Sequence, residues 1–314
     1  MHRSNLRAVA YRLLGSLSEV DDAVQETWLR CSRADPPSAT DDLGRWLTTV
    51  VARVCLDMLR SRTARREKPL DVHVPDPIIS HEDALGPEEE ALLAEGVGLA
   101  LQVVMQQLAP PERLALVLHD TFSVPFEQIA AILGRSPAAV RQLASRARRR
   151  VRASATPPDA DLARQRQVVD AFLAAARDGD LDALVAVLDP DVVARADWGS
   201  VHASAAPMAR GGRTVAEHAL SWSRVARFAQ PPLVNGTAGL VAAPRGSLLA
   251  VMGFTVRHGK IVEIDVLLDP ARLRPLTNPT ESQSGREWPV RSVWGEVPLA
   301  GRGWPGRDLD LPAE

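Results

Sequence analysis

Between Gly134 and Arg152 the chain places seven arginines and no acid: Arg135, Arg141, Arg146, Arg148, Arg149, Arg150 and Arg152. Within that run Arg141, Gln142, Ser145 and Arg146 stand at i, i+1, i+4 and i+5, which is one side of an α-helix. These side chains suit base reading. Arg can bridge guanine O6 and N7, and Gln can pair with adenine N6 and N7. Arg148, Arg149 and Arg150 lie further along and suit phosphates, which position a protein without specifying sequence. Arg135 and Ser136 at the start of the same helix join the candidate DNA contacts. A second basic row, Arg45, Arg53 and Arg60 beside Trp46, allows a second nucleic-acid surface.

Candidates for other chemistry are few. Asp197, His202, His218 and Asp265 could do acid–base work, but no spacing among them marks a pair, so no catalytic residue is assigned. Cys31 and Cys55 are too few for a disulfide framework or a structural zinc site, and both read as buried thiols. No metal and no cofactor is expected. No window approaches ~18 uninterrupted apolar residues, and residues 1–20 lack an apolar signal core. The expectation is a cytoplasmic protein with no membrane segment.

The elements that position the arginines are legible. Phe126 to Leu133 forms a first helix, Gly134 supplies a left-handed turn position, Ser136 caps, and a second helix runs from Ala138 to about Val151. Val140, Leu143, Ala144 and Ala147 face inward, giving a helix–turn–helix. Upstream, Leu6, Val9, Ala10, Leu13, Leu14 and Leu17 make one helical face, after which Ser18 can cap a second helix. That helix carries Ala23, Val24, Thr27 and Trp28. Ser32 to Asp42, broken by Pro36-Pro37, reads as loop. Leu43, Trp46, Leu47, Val50, Val51, Val54, Cys55, Met58 and Leu59 form a third helix. Helices are also expected through Leu92–Leu108 and over 112–120.

The chain has 314 residues and a net charge of −2, which conceals strong local asymmetry. Residues 1–68 hold 12 basic and 9 acidic side chains; 69–112 hold 9 acids and no Lys or Arg; 113–158 hold 8 Arg against Asp120 and Glu127. That order suggests two polyanion-facing modules joined by an acidic connector. Beyond Asp161 the pattern changes. Two helices around Asp178-Gly179-Asp180 precede an extended stretch from Asp189 and two strand-like runs, Leu248–Val256 and Ile261–Leu268, joined by a turn at His258-Gly259-Lys260. This is an α+β order. Residues 275–314 hold six Pro and five Gly with no apolar period, which fits a disordered tail.

Two motifs carry a resemblance. The stretch Asp21-Asp22-Ala23-Val24-Gln25-Glu26-Thr27-Trp28, followed by Arg45-Trp46-Leu47 and Asp57-Met58-Leu59-Arg60, resembles sigma region two. Val140-Arg141-Gln142-Leu143-Ala144-Ser145-Arg146-Ala147-Arg148-Arg149 resembles sigma region four. Together they are similar to the extracytoplasmic-function sigma factors of the sigma-70 family, over about residues 4–152. The resemblance implies that Asp22, Gln25, Glu26 and Trp28 bind the clamp helices of core RNA polymerase. It implies that loop 32–42 and the third helix, with Arg45, Trp46, Arg53 and Arg60, read and open the minus-ten element. Region four would read the minus-thirty-five element, with Arg141, Gln142, Ser145 and Arg146 on bases.

Residues 164–273 resemble a SnoaL-like domain, a cone-shaped α+β fold whose pocket could hold an unknown small ligand. A subgroup of these sigma factors carries such a domain. Its linker motif Trp-Leu-Pro-Glu-Pro stands here as His73-Val74-Pro75-Asp76-Pro77, its Asp-Gly-Gly-Gly-Lys as Asp197-Trp198-Gly199-Ser200, and its Asn-Pro-Asp-Lys-Leu as Asp269-Pro270-Ala271-Arg272-Leu273. The resemblance implies that Pro75, Asp76, Pro77, Asp197, Gly199, Asp269 and Pro270 serve interdomain regulation.

The expected architecture is multidomain. An all-α region two (4–68), an acidic linker (69–91) and a helix–turn–helix region four (92–152) come first. A short linker (153–163), the SnoaL-like domain (164–273) and a Pro/Gly-rich tail (274–314) follow. The expected partners are core RNA polymerase and promoter DNA. Two rivals remain: a helix–turn–helix regulator that never binds polymerase, and a SnoaL-like isomerase or cyclase with a DNA-binding extension.

Overall fold

The structure, a computed structural model, describes residues 2–33, 40–64, 73–80, 98–154, 158–199, 208–244 and 247–277. Three helices open the chain: α1 (His2–Leu14), α2 (Leu17–Cys31) and α3 (Thr40–Ala64). Their apolar faces meet through Leu6, Val9, Leu13, Val20, Ala23, Leu47, Val51, Val54 and Cys55. Two local expectations change. Helix α3 starts at Thr40, inside the stretch read as loop, because the Pro36-Pro37 break constrains only its immediate neighbours. Helix α2 starts at Leu17, and neither Ser16 nor Ser18 caps it; the Leu17 amide donates instead to the Asp76 carboxylate of the linker, at 2.8 Å. Cys55 is buried, and Cys31 is only half-buried.

The second helical module comprises α4 (Leu99–Gln106), α5 (Pro110–Leu116), a π-turn (Val117–Thr121), α6 (Phe126–Leu133) and α7 (Pro137–Ser154). Gly134 adopts φ 64°, ψ 40°, where a Cβ would be penalised, and Ser136 Oγ accepts from the Ala139 amide at 3.3 Å. Val140, Leu143, Ala144 and Ala147 are buried, as their spacing requires. The helix expected over 112–120 begins two residues early, at Pro110, and widens into the π-turn.

The C-terminal part begins with α8 (Leu162–Asp178) and α9 (Leu181–Val187), capped by the carboxylates of Asp161 and Asp180. It continues through β2 (Leu188–Asp197), β3 (Met208–Arg210), α10 (Gly212–Ser221), α11 (Ser223–Ala226), β4 (Ala229–Gln230), β5 (Leu233–Val234), β6 (Thr237–Ala242), β7 (Ala250–Arg257), β8 (Lys260–Leu267) and α12 (Pro270–Thr277). Among the described residues the strands form one sheet in the order β1-β5-β6-β7-β8-β2-β3, with β4 on β6. Here β1 is Ile79–Ser80 of the linker, paired antiparallel with β5. The linker therefore adds an edge strand to the C-terminal sheet. Strand β6 escapes period-two reading because all six of its residues are buried. Helix α12 runs to Thr277, so residues 274–277 are helical rather than tail. The remainder of the expected tail lies outside the described residues.

The cores show how these parts are joined. One face of the sheet packs on its own helices through Val169, Phe172, Leu184, Val215, Leu240, Phe254 and Ile264. The other face, Val241, Val251 and Leu267, is covered by Val74 of the linker, Leu99 of α4 and Leu273 of α12. Gly253 permits this cover, since a Cβ there would stand 3.0 Å from a Leu99 methyl. The two helical modules share a single core. Leu13, Leu47 and Cys55 of the first belong to the same buried cluster as Met105, Leu114, Leu118, Ile129 and Leu143 of the second.

Candidate nucleic-acid interface and the junction that holds it

On α7 the buried residues set the orientation, and Arg141, Gln142, Ser145 and Arg146 all stand exposed on the outer side. Their arginines are not idle. Arg141 Nη2 donates to Glu127 Oε1 at 2.9 Å, and its guanidinium lies 5.4 Å from the Phe126 ring centroid. Arg148 makes two bonds to Asp120, at 2.7 and 2.5 Å. Arg150 donates to Glu112 at 2.9 Å, and Arg146 approaches the same carboxylate at 3.9 Å. Arg135 and Arg149 are exposed, and no ion pair is found for them among the described residues. Of the three arginines expected on phosphates, two therefore brace the module internally and one is available without rearrangement.

In the first module Arg45, Arg53 and Arg60 lie exposed along α3, while Trp46 is half-buried against the core. On α2, Asp22, Gln25 and Trp28 are exposed, and Glu26 accepts from Arg30 at 2.8 Å, one turn on. Trp28 and Leu29, 44% and 45% exposed, form an apolar spot beside the acids.

The residues expected at the interdomain junction do meet, around one side chain. Arg272 donates from Nε to Asp76 Oδ1 at 2.7 Å, from Nη1 to Asp197 Oδ2 at 2.8 Å, and from Nη2 to the Val74 carbonyl at 2.5 Å. Asp197 also accepts from the Val74 amide at 2.9 Å and the Gly199 amide at 3.0 Å. Gly199 sits at φ 64°, and a Cβ there would collide with the Asp269 carboxylate. Asp269 and Pro270 start α12, which presents Arg272. Pro75 and Pro77 are buried on either side of Asp76. Asp76 further ties the linker to the first module, its amide donating to the Gly15 carbonyl at 2.8 Å. His73 stands 3.5 Å from Asp197, but burial, then the Arg272 cation, hold its pKa below the usual histidine value. At neutral pH that contact is not an ion pair.

Four acid–base candidates do not converge. Asp197 is committed to Arg272 and two backbone amides, Asp265 to Arg195 at 3.0 Å, His218 is exposed on α10, and His202 lies outside the described residues. Burial pushes Asp265 up to about 6 even though Arg195 opposes the shift. Among the described residues no group of His, Cys, Asp or Glu could hold a metal ion, and no helix is long and apolar enough to cross a membrane.

Comparison with known proteins decides the family. The chain matches Sigma-70 region 2 over residues 1–65 and Sigma-70, region 4 over residues 98–151. It is 38% identical over 302 residues to the ECF RNA polymerase sigma factor SigJ of Mycobacterium tuberculosis, covering 90% of this chain and 95% of SigJ. To the probable ECF RNA polymerase sigma factor SigI of the same organism it is 37% identical, over 88% of this chain and 93% of SigI. The chain belongs to the extracytoplasmic-function RNA polymerase sigma factors. The crystal structure of M. tuberculosis SigJ superposes with a TM-score of 0.71 at 36% identity, covering 89% of this chain and 98% of that one. The likeness thus runs through both sigma regions and the C-terminal α+β domain.

Several residues that hold this sigma factor together carried little or no signal in the sequence. Tyr11, Gln102, Arg113, Asn235 and Arg272 each bond across elements far apart in the chain. Arg113 is buried with no carboxylate partner among the described residues. It donates to the Leu13 carbonyl at 2.7 Å and to Gln106 Oε1 at 2.6 Å, and burial pushes its pKa down to about 9. It therefore stays charged at neutral pH, held by the Leu13 carbonyl at the C-terminal end of α1 and by the Gln106 and Leu108 carbonyls at and just past the end of α4. Arg272 alone left a trace, as the only cation in the Asp269–Leu273 motif.

Proposed function

We propose that this chain is a promoter-specificity subunit that its own C-terminal domain holds in a closed arrangement. Region two (4–68) would dock on core RNA polymerase through Asp22, Gln25, Glu26 and Trp28, and would engage the minus-ten element through Arg45, Trp46, Arg53 and Arg60. Region four (92–152) would read the minus-thirty-five element through Arg141, Gln142, Ser145 and Arg146. Arg135, Ser136 and Arg149 would lie along the backbone, and Arg148 would reach it only by giving up its pair with Asp120. The reading is of a non-enzymatic protein, and the commitment of Asp197 and Asp265 to arginines supports it.

One observation carries the regulatory part: linker residues 73–80 are bonded at once to the first module and to the C-terminal sheet. The two promoter elements lie about 25 base pairs apart by their names, or roughly 85 Å at ~3.4 Å per base pair. Two modules that share one core cannot span that distance. Promoter engagement therefore requires regions two and four to separate, and the linker to leave its place against Arg272. The C-terminal domain would set how often this happens, as a population shift. A ligand in its pocket could bias that equilibrium only by binding the two arrangements with different affinity.

The test is retention on bacterial core RNA polymerase in a native gel, with the full chain beside its Arg272→Ala variant. Binding by the full chain, strengthened in the variant, is expected. Failure of both to bind a core enzyme that accepts a control sigma factor would remove the polymerase role and leave a helix–turn–helix regulator.

A further inference from the structure

On the base-reading face of α7, Arg146 only approaches Glu112, at 3.9 Å, whereas Arg141 is held by two neighbours outside its own helix. Arg141 donates from Nη2 to Glu127 Oε1 at 2.9 Å and lies over the Phe126 ring, 5.4 Å from its centroid. Phe126 is itself fixed. It packs against the shared core and stacks on His119, with ring centroids 3.8 Å apart and planes 25° apart. His119 belongs to the π-turn, and its Nδ1 stands 3.1 Å from the Val124 carbonyl. A continuous column thus runs from the core through Phe126 to Arg141. π-turns of this kind recur at functional sites, and this one ends beside the reading helix.

The Arg141–Glu127 pair is solvent-exposed on both sides, at 55% and 63%. An exposed pair of that kind adds little to folding. Its consequence is orientation. Glu127 takes one N–H of Nη2 and Phe126 lies against one face, which leaves the other N–H groups of the guanidinium to meet an acceptor from outside. A carboxylate beside incoming DNA also repels phosphate, so Glu127 is a cost to general DNA affinity.

We propose that Phe126 and Glu127 are positioning residues for Arg141, fixing its guanidinium before DNA arrives and so setting discrimination at one base of the upstream element. This rests on the reading of region four given above. Neither residue need touch DNA. They act by removing freedom that Arg141 would otherwise lose on binding.

The experiment uses core RNA polymerase carrying the full chain, selecting from linear DNA randomised across the upstream element, with Arg141→Ala, Glu127→Gln and Phe126→Leu compared. Arg141→Ala should lose about 5- to 150-fold discrimination at a single base. Glu127→Gln should lose about 2- to 10-fold at that same base while binding unselected DNA more tightly. Phe126→Leu, which keeps apolar bulk but removes the ring, should lose discrimination there too without the gain in general affinity. A general role in folding would not confine the loss to one base. If Glu127→Gln and Phe126→Leu keep that preference intact while Arg141→Ala loses it, the positioning role falls and Arg141 remains a base reader. If Arg141→Ala loses no base preference, the assignment of Arg141 fails and the proposal fails with it.

Discussion

Asn235 Nδ2 donates to Tyr11 Oη at 2.8 Å, joining residues 224 positions apart in the chain. Tyr11 Oη donates in turn to the Asp76 carbonyl at 2.8 Å, and the Tyr11 carbonyl accepts from Gln102 at 2.9 Å. Region two, the linker, α4 and the C-terminal domain thus meet at one buried tyrosine, the linker and C-terminal domain at its hydroxyl and α4 at its backbone carbonyl. Asn235 gains its position from the turn between β5 and β6, where it adopts φ 51° and Gly236 φ 76°. The same residue brackets the linker, exchanging bonds with both backbone groups of Ile78. Burial raises the Tyr11 pKa far above its ordinary value, so the hydroxyl keeps its proton at any physiological pH.

Tyr11→Phe should therefore leave the Asp76 carbonyl and the Asn235 amide without their partner. The expected cost is about 1–3 kcal/mol of stability in urea denaturation of the full chain, with tighter binding to core polymerase. An unchanged unfolding midpoint would contradict this role.

Arg272→Ala should remove the cation from two carboxylates that are nearly buried, Asp76 and Asp197, at 9% and 6% side-chain exposure. Breaking such a group from one side costs about 3–5 kcal/mol. Adding Asp197→Asn to Arg272→Ala should restore part of that loss by removing one stranded charge. A double variant weaker than either single one by the simple sum would show that the three side chains act independently.

The internal pairing of the α7 arginines separates two that look alike in sequence. Arg149→Ala should weaken binding to all DNA sequences about equally and lower the salt slope by about 1. Arg148→Ala should instead lower stability by up to about 1 kcal/mol through its lost pair with Asp120. Measured salt dependences that are the same for both variants would reverse this distinction.

Asp265 predicts a pH dependence. Its pKa is raised in the fold to about 6, chiefly by burial, so the fold favours the protonated acid. Its stabilising contribution is fully present below the unfolded carboxylate value near 4 and is lost as pH rises through about 6. Asp265→Asn should flatten the stability profile between about pH 4 and 6. A profile unchanged in the variant would place that dependence on other groups.

Local physics made much of the fold legible. The glycine turn at Gly134, the Ser136 cap and the inward face of α7 follow from conformational limits on single residues and from helical period. The hairpin between β7 and β8 follows likewise, with His258 at φ 52° and Gly259 at φ 72°. What was not legible is non-local. Strand β6 is buried on both faces and shows no alternation, and β1 is a strand only because β5 pairs with it. At the candidate interface, the sequence placed Arg141 and Arg148 on one basic helix. It had no means to show that Glu127 and Asp120, on other elements, would hold them. The junction was half visible: Asp76 and Asp197 stood out, while the arginine that joins them did not.

Regions two and four share one core in the free chain, and the proposed function requires them to part on a promoter. Arg3 and Ala131 are exposed, one on α1 and one on α6, and Cys55 is fully buried. Distance measurement between labels at Arg3→Cys and Ala131→Cys, in a Cys31→Ser background, follows that separation directly. One short distance is expected in the free full chain, lengthening by several tens of Å when core polymerase and promoter DNA are bound. A distance unchanged in the promoter-bound complex would contradict the account.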